Sequence, residues 1–146
     1  SLDNVQVSAS SETILVLKAD GSVWGWGSNK YNELGTENMI ETSPVRVIGL
    51  TNVKQVLAIP LGAIALKNDG TVWYVGINLD GLLGNGHKNA VSVYTKSNNL
   101  SNITYISANL HLLALDINGD VWCAGNDSCG QLGINGINDQ LIPKKC

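Results

Sequence analysis

One stretch of this chain occurs three times. "DGSVWGWGSNKYNELG" starts at Asp20, "DGTVWYVGINLDGLLG" at Asp69 and "NGDVWCAGNDSCGQLG" at Asn118, a spacing of 49 residues each time. A fixed period of this length marks an array of like units, and it constrains the architecture before any single residue does. Seven positions carry the same residue in every copy. They are Leu17/Leu66/Leu115, Gly21/Gly70/Gly119, Val23/Val72/Val121, Trp24/Trp73/Trp122, Gly27/Gly76/Gly125, Leu34/Leu83/Leu132 and Gly35/Gly84/Gly133. The chain reads as a single domain over residues 1–146, with repeats at approximately 4–51, 52–101 and 102–146.

Each copy reads as short strands. "TILVLK", "AIALK" and "LLALD" are apolar and are followed by Asp20-Gly21, Asp69-Gly70 and Asn118-Gly119. Such dipeptides are strong hairpin signals, because a type I′ turn needs positive φ at both central residues. The returning strands are "SVWGWG", "TVWYVG" and "DVWCAG". A strand precedes each pair ("VQVSA", "VKQVLA", "ITYISA"), and a fourth lies near each repeat end ("SPVRVI", "VSVYTK", "LIPKKC"). Apolar spacing never settles at a helical period, and Gly and Asn interrupt throughout, so no helix is expected. Four antiparallel strands every 49 residues predict an all-β chain of three β-propeller blades. The repeated Val and Trp are expected between blades, and the Leu-Gly pairs should pin each long loop to its blade.

Composition excludes several function classes. Net charge is −3 and only 14% of residues are charged, so there is no Lys/Arg stripe for nucleic acid. No apolar run is long enough to cross a bilayer, and "SLDNVQVSAS" is not a signal peptide. Cys123, Cys129 and Cys146 make a poor disulfide framework and read as small apolar fillers. The composition, rich in Asn and Lys and poor in Arg, points to a soluble bacterial protein, at the cell surface or secreted as part of a longer precursor.

At these residues the chain resembles the regulator of chromosome condensation repeat family. The family pattern runs approximately "V-x-A-G-x-x-H-(S/T)-x-A-L-x-x-D-G-x-V-(W/Y)-x-W-G-x-N-x-x-G-Q-L-G", with a later "P-x-x-V". Copy three carries "GNDSCGQLG", and copy one carries "DGSVWGWGSN" and "SPVRV". The family's His is matched by His111, while Thr13 and Gly62 take its place in the other copies. The resemblance implies a seven-bladed ring that presents its end loops to protein partners. Seven blades at this period need about 340 residues, against 146 here.

No catalytic, cofactor or metal site is expected. Asp116-Ile-Asn118-Gly-Asp120 imitates the start of a calcium loop but lacks the following Gly and a downstream Glu. "GWGSNKYNELG" has no helix after it to make a phosphate cradle. His87 and His111 share no ligand spacing with the cysteines, and no Ser-His-Asp set can be assembled. Contact candidates are instead residues of the variable loops and aromatics outside the repeat template. Trp26 stands where Val75 and Ala124 stand in the other copies, and Tyr31 faces Asp80 and Ser128. With Asn29, Asn78, His87 and Asp127, these form the predicted partner-binding set.

The sequence therefore predicts a non-enzymatic scaffold that binds an unidentified protein through loops near 10–13, 28–43, 59–62, 77–92, 108–111 and 126–141. The alternatives are a fragment of a longer seven-bladed propeller with a regulatory or inhibitor role, and an enzyme sited in the ring's channel. Three blades form an arc with two unlike open faces. Contact between such faces is heterologous, and two copies would make a six-bladed ring as a homodimer.

Overall fold

The computed structural model describes residues 4–146 as twelve strands in three four-stranded antiparallel sheets. Residues 1–3 lie outside the described residues. Blade 1 is β1 (Asn4–Ala9), β2 (Thr13–Lys18), β3 (Val23–Ser28) and β4 (Ile40–Arg46). Blade 2 is β5 (Val53–Ile59), β6 (Gly62–Lys67), β7 (Val72–Gly76) and β8 (Val91–Lys96). Blade 3 is β9 (Ile103–Ala108), β10 (His111–Asp116), β11 (Val121–Gly125) and β12 (Gln140–Lys145). Strands follow chain order in every sheet, so each blade is an up-and-down meander. Among the described residues there is no helix long and apolar enough to cross a membrane.

Hairpin turns form at all three dipeptides, but not in the type I′ form: Gly21, Gly70 and Gly119 have positive φ while Asp20, Asp69 and Asn118 do not, and each glycine N–H donates to the carbonyl three residues back, of Lys18, Lys67 and Asp116. An Asp side chain takes up the remaining donors of each turn. Asp20 Oδ1 accepts from Ser22 N and Oγ, and Asp69 Oδ1 accepts from Thr71 N and Oγ. In blade 3 the cap moves to Asp116, whose Oδ1 accepts from Asn118 N and Asp120 N while Oδ2 accepts from the Trp122 indole. The calcium-like motif is thus a turn cap with its carboxylate already engaged.

These bonds hold all three carboxyls below the ordinary value of 3.8. The main causes are the Ser22 hydroxyl for Asp20, the Thr71 hydroxyl for Asp69 and the Trp122 indole for Asp116. A depressed folded-state pKa contributes stability that is complete above the unfolded value and is lost as pH falls through the folded one. Acid should therefore loosen the hairpins only below about pH 3.8. The melting-temperature gap between wild type and Asp69→Asn should be open at pH 7 and narrow steadily below that point. A gap that does not change with pH would contradict the assignment.

Blades pack face to face. Directly paired residues share a sheet face, so Leu15, Leu17 and Val23 form the front of blade 1. They meet Val56, Ala63, Ala65, Val75 and Trp73 on the rear of blade 2 in one buried cluster. Ile64, Leu66, Val72 and Tyr74 on the front of blade 2 meet Ile106, Leu112, Ala114 and Trp122 on the rear of blade 3 in a second. The repeated Val therefore looks forward and the repeated Trp backward. Val121, with no blade ahead of it, is exposed. Tyr94 crosses the first interface and donates its hydroxyl to the Glu33 carbonyl at 2.8 Å.

Polar bonds set the same interfaces in register. Gln6 Nε2 donates to the Val56 carbonyl and Val56 N donates back to Gln6 Oε1, both at 2.9 Å. Gln55 repeats this with Ile106, at 2.7 and 2.9 Å. A side-chain amide here occupies the place of a peptide group, clamping the innermost strand of one blade to that of the next. The Gly21 and Gly70 carbonyls accept from Val53 N and Ile103 N, a second backbone link at each joint. The turn between β9 and β10 is one residue shorter than its counterparts: Ala108 pairs with Leu112, where Ala9 pairs with Ile14 and Ala58 with Ala63.

Cysteine usage is mixed. Cys123 is buried, and burial first, then the neighbouring Cys146, pushes its thiol up to about 12. It is the small apolar filler expected. Cys129 and Cys146 are exposed, so that reading does not extend to them.

Candidate functional site

All the long connections leave the same edge of the arc. Residues 29–39, 77–90 and 126–139 join the third and fourth strands, and 10–12, 60–61 and 109–110 join the first and second. The Asp-Gly turns lie at the opposite edge. Each long loop is held by one buried side chain. Asn29 Oδ1 accepts from Leu34 N at 2.8 Å, while its Nδ2 donates to the Thr36 and Asn38 carbonyls. Asn78 Oδ1 accepts from Leu83 N at 3.0 Å, and its Nδ2 donates to the His87 carbonyl and Asn85 Oδ1. Asp127 Oδ1 accepts from Leu132 N at 2.9 Å. The repeated Leu34, Leu83 and Leu132 are buried beneath these bonds.

This corrects the place of three predicted contact residues. Asn29 is buried and Asn78 and Asp127 are 0% exposed, so these side chains face the interior and hold the loops in shape. Their common register of 49 residues, shared with the framework glycines, is the signal that could have separated them from the variable loop residues. Trp26 stands in β3 and not in a loop. It pairs with Ile14 on the rear face of blade 1, where its counterparts Val75 and Ala124 are covered by a neighbouring blade. Tyr31 and His87 do lie in the long loops. Tyr31 is half-buried with the Lys30 ammonium 5.5 Å from its ring centre, and His87 is exposed. Tyr31 N donates to Glu33 Oε2, and burial pushes the Glu33 carboxyl up.

Asp127 is the odd member of its set. Where Asn29 and Asn78 direct an amide donor at loop carbonyls, Asp127 Oδ2 is buried with no partner. Asp127→Asn should restore the missing donor and raise unfolding free energy by about 1–2 kcal/mol. Urea denaturation measures this, and an unchanged or lowered midpoint would show that the orphaned oxygen costs nothing.

What the loop edge offers is apolar surface. Met39, Ile40, Leu79, Leu110 and Ile137 are all more than half exposed. Ile59, Pro60, Leu61, Leu79, Leu82 and Leu110 are among the residues that line a hollow of about 110 Å³ where the loops of blades 2 and 3 meet. Glu12, Lys30, Met39 and Ile40 border a second depression on blade 1. Adjacent loops are tied together by the Lys88–Asp139 ion pair at 3.0 Å and by Asn126 Nδ2 donating to Asp80 Oδ2 at 3.3 Å. Among the described residues no three His, Cys, Asp or Glu side chains are grouped as metal ligands would be.

The chain matches the regulator of chromosome condensation (RCC1) repeat in two family models, one over residues 5–33 and 109–131, the other over 20–60. No curated protein matches it in sequence. Among solved structures, human WBSCR16 superposes with a TM-score of 0.84 at 25% identity, covering 97% of this chain and 39% of that one. Prp20p from Saccharomyces cerevisiae, solved in a study that also reports its binding properties to Gsp1p and histones, gives 0.74 at 24% identity, covering 98% and 38%. The yeast RCC1 (Prp20) structure with bound Kap60 gives 0.52 at 19% identity, covering 97% and 48%. The chain thus spans about two fifths of the length of the first two structures.

Proposed function

This chain belongs to the regulator of chromosome condensation (RCC1) repeat family, and from that premise we propose that it is a non-enzymatic propeller scaffold whose loop edge binds a protein partner. The observation that carries this reading is the set of exposed apolar side chains at the loop edge: Met39, Leu79 and Ile137 on the long loops that the buried Asn29, Asn78 and Asp127 tie down, Ile40 at the start of β4 and Leu110 in the β9–β10 turn. Apolar side chains gathered at one edge of a domain mark interaction sites, and a pre-shaped loop loses little entropy on binding. The reported binding of Prp20p to Gsp1p and histones supports a protein as the class of partner. The net charge of −3 gives no support to nucleic acid.

The test is affinity capture with the tagged chain, comparing wild type with the Met39→Asp/Ile40→Asp and Leu79→Asp/Leu110→Asp pairs. All four positions are exposed, so the fold should survive. A specific partner held by wild type should be lost from at least one pair. Retention by both pairs, with circular dichroism unchanged, would overturn the loop-edge reading.

A further inference from the structure

The chain contains three Asn-Gly dipeptides, Asn85-Gly86, Asn118-Gly119 and Asn135-Gly136. In such a pair the glycine nitrogen can attack the asparagine side-chain carbonyl, because no Cβ shields it and its backbone turns freely. The fold restrains two of the three. Gly86 N donates to the Leu141 carbonyl at 2.7 Å, and Asn85 Oδ1 accepts from Asn78 Nδ2 and His87 N. Gly119 N donates to the Asp116 carbonyl and Asn118 N to Asp116 Oδ1, inside a closed hairpin turn. Asn135 and Gly136 are both exposed, and neither takes part in the hydrogen bonds formed among the described residues. A Cβ built on Gly136 would meet nothing within 4 Å.

The reason this loop is open lies at Asp127. Asn29 Nδ2 donates to the carbonyl of Asn38 and Asn78 Nδ2 to that of His87, nine residues on in each loop. The matching residue of the third loop is Gly136. Its carbonyl oxygen lies over the same turn, 3.7 Å from where a Gly130 Cβ would stand. Asp127 has no amide donor to tie it there, and its buried Oδ2 is left without a partner. The segment that carries Asn135 therefore lacks the anchor that the other two loops have.

We infer that Asn135 is a site of spontaneous covalent modification, converted to aspartate and isoaspartate by attack of Gly136 N and hydrolysis, and that the missing amide at Asp127 leaves it open. Gly136 N gives up its proton to hydroxide and bonds to Asn135 Cγ. The Cγ–Nδ2 bond breaks, and the amide nitrogen takes a proton from water and leaves as ammonia. Water then opens the cyclic imide. Opening at Cγ gives aspartate, and opening at the main-chain carbonyl of residue 135 gives isoaspartate, with one methylene added to the main chain. Water enters, ammonia leaves, and a chain of net charge −3 gains one more negative charge in the loop that holds exposed Ile137. This inference stands on the backbone of one loop and is independent of the loop-edge reading.

Peptide mass mapping of the full chain tests it, after incubation in mildly alkaline buffer at physiological temperature, folded and in urea, for wild type, Asp127→Asn and Gly136→Ala. In the folded wild type Asn135 should convert about tenfold faster than Asn85 or Asn118, whose hydrogen bonds have to open first. In urea the three should react at similar rates, because the fold alone ranks them. Asp127→Asn supplies the donor for the Gly136 carbonyl and should slow conversion of Asn135 in the folded chain by about fivefold, the effect of one net hydrogen bond. Gly136→Ala keeps the fold, since its Cβ has open space, and should slow conversion in the folded and unfolded chain alike. The inference is overturned if Asn135 stays intact, if Asn85 or Asn118 converts as fast in the folded chain, if the same ranking persists in urea, or if either variant converts at the wild-type rate.

Discussion

Gly76→Ala is expected to lower the melting temperature by roughly 10–15 °C. Gly76 ends β7 at φ +124°, a backbone conformation that L side chains rarely adopt. A Cβ there would be driven into the Leu61 carbonyl oxygen and lie 2.6 Å from the Gly62 Cα. Both obstacles are backbone, so neither can swing aside as a flexible side chain would. Relief requires parting β6 from β7 at their Gly62–Gly76 pair, against the Ile77 N to Leu61 carbonyl bond that closes the corner. Backbone strain and overpacking together cost about 3–5 kcal/mol, a large share of the stability of a chain this size. Gly136→Ala is the control: its Cβ would meet nothing within 4 Å, and its φ is not positive. Thermal unfolding followed by circular dichroism should leave Gly136→Ala within a degree or two of wild type, by about the scale of a neutral surface change. A Gly76→Ala melt as mild as that would remove the steric explanation for the glycine shared by all three copies.

Asn78→Ala should cost about 2–4 kcal/mol, and its effect should fall first on the loop it organises. The substitution strips the partner from the Leu83 N–H, which is buried, and from the His87 carbonyl. An unpaired buried donor costs more than the net worth of the bond it lost. The alanine also leaves a small void beside Leu83, a member of the second core cluster. Native-state hydrogen exchange should show the Leu83 amide losing protection ahead of the strand amides of β6 and β7. Asn78→Asp should fall between wild type and Asn78→Ala, because an aspartate keeps the acceptor for Leu83 and loses only the donor, the situation already present at Asp127. Undiminished protection at Leu83 in Asn78→Ala would show that the loop is held by something other than this side chain.

The framework was open to sequence reading because its signals are local and repeated. Asp20-Gly21 and its counterparts mark hairpins by turn chemistry alone. The bounds of β8 and β9 agree with the stretches "VSVYTK" and "ITYISA". The site was harder to read, for a physical reason that differs from residue to residue. An Asn in a loop is polar whether it faces water or folds inward, and only the closed bond to Leu34 or Leu83 distinguishes the two. Trp26 looked like a contact residue because the other copies lack it. In the fold it occupies a face that is covered wherever a neighbouring blade exists. The clamp was hidden differently. Gln6 pairs with Leu17 and Gln55 with Leu66, but the short β9–β10 turn shifts Tyr105, which pairs with Leu115, by one position along the chain. The equivalence then becomes visible only through strand pairing. The exposed apolar set at the loop edge draws on unrelated residues of separate loops and one strand start, and no periodic pattern announces it.

Among the described residues blade 2 is joined on both sides, by a hydrophobic cluster and an amide clamp at each joint, whereas blades 1 and 3 show one such joint apiece. The free-energy landscape of such a chain approaches a one-dimensional nearest-neighbour array. The middle unit cannot open without losing two interfaces, while either outer unit can fray at the expense of one. Partial unfolding should therefore proceed inward from the ends, with β6 and β7 the last strands to exchange their amide protons. Cooperativity in this molecule is a property of position along the array and not of composition, since three nearly interchangeable repeats acquire unequal lifetimes from neighbour count alone.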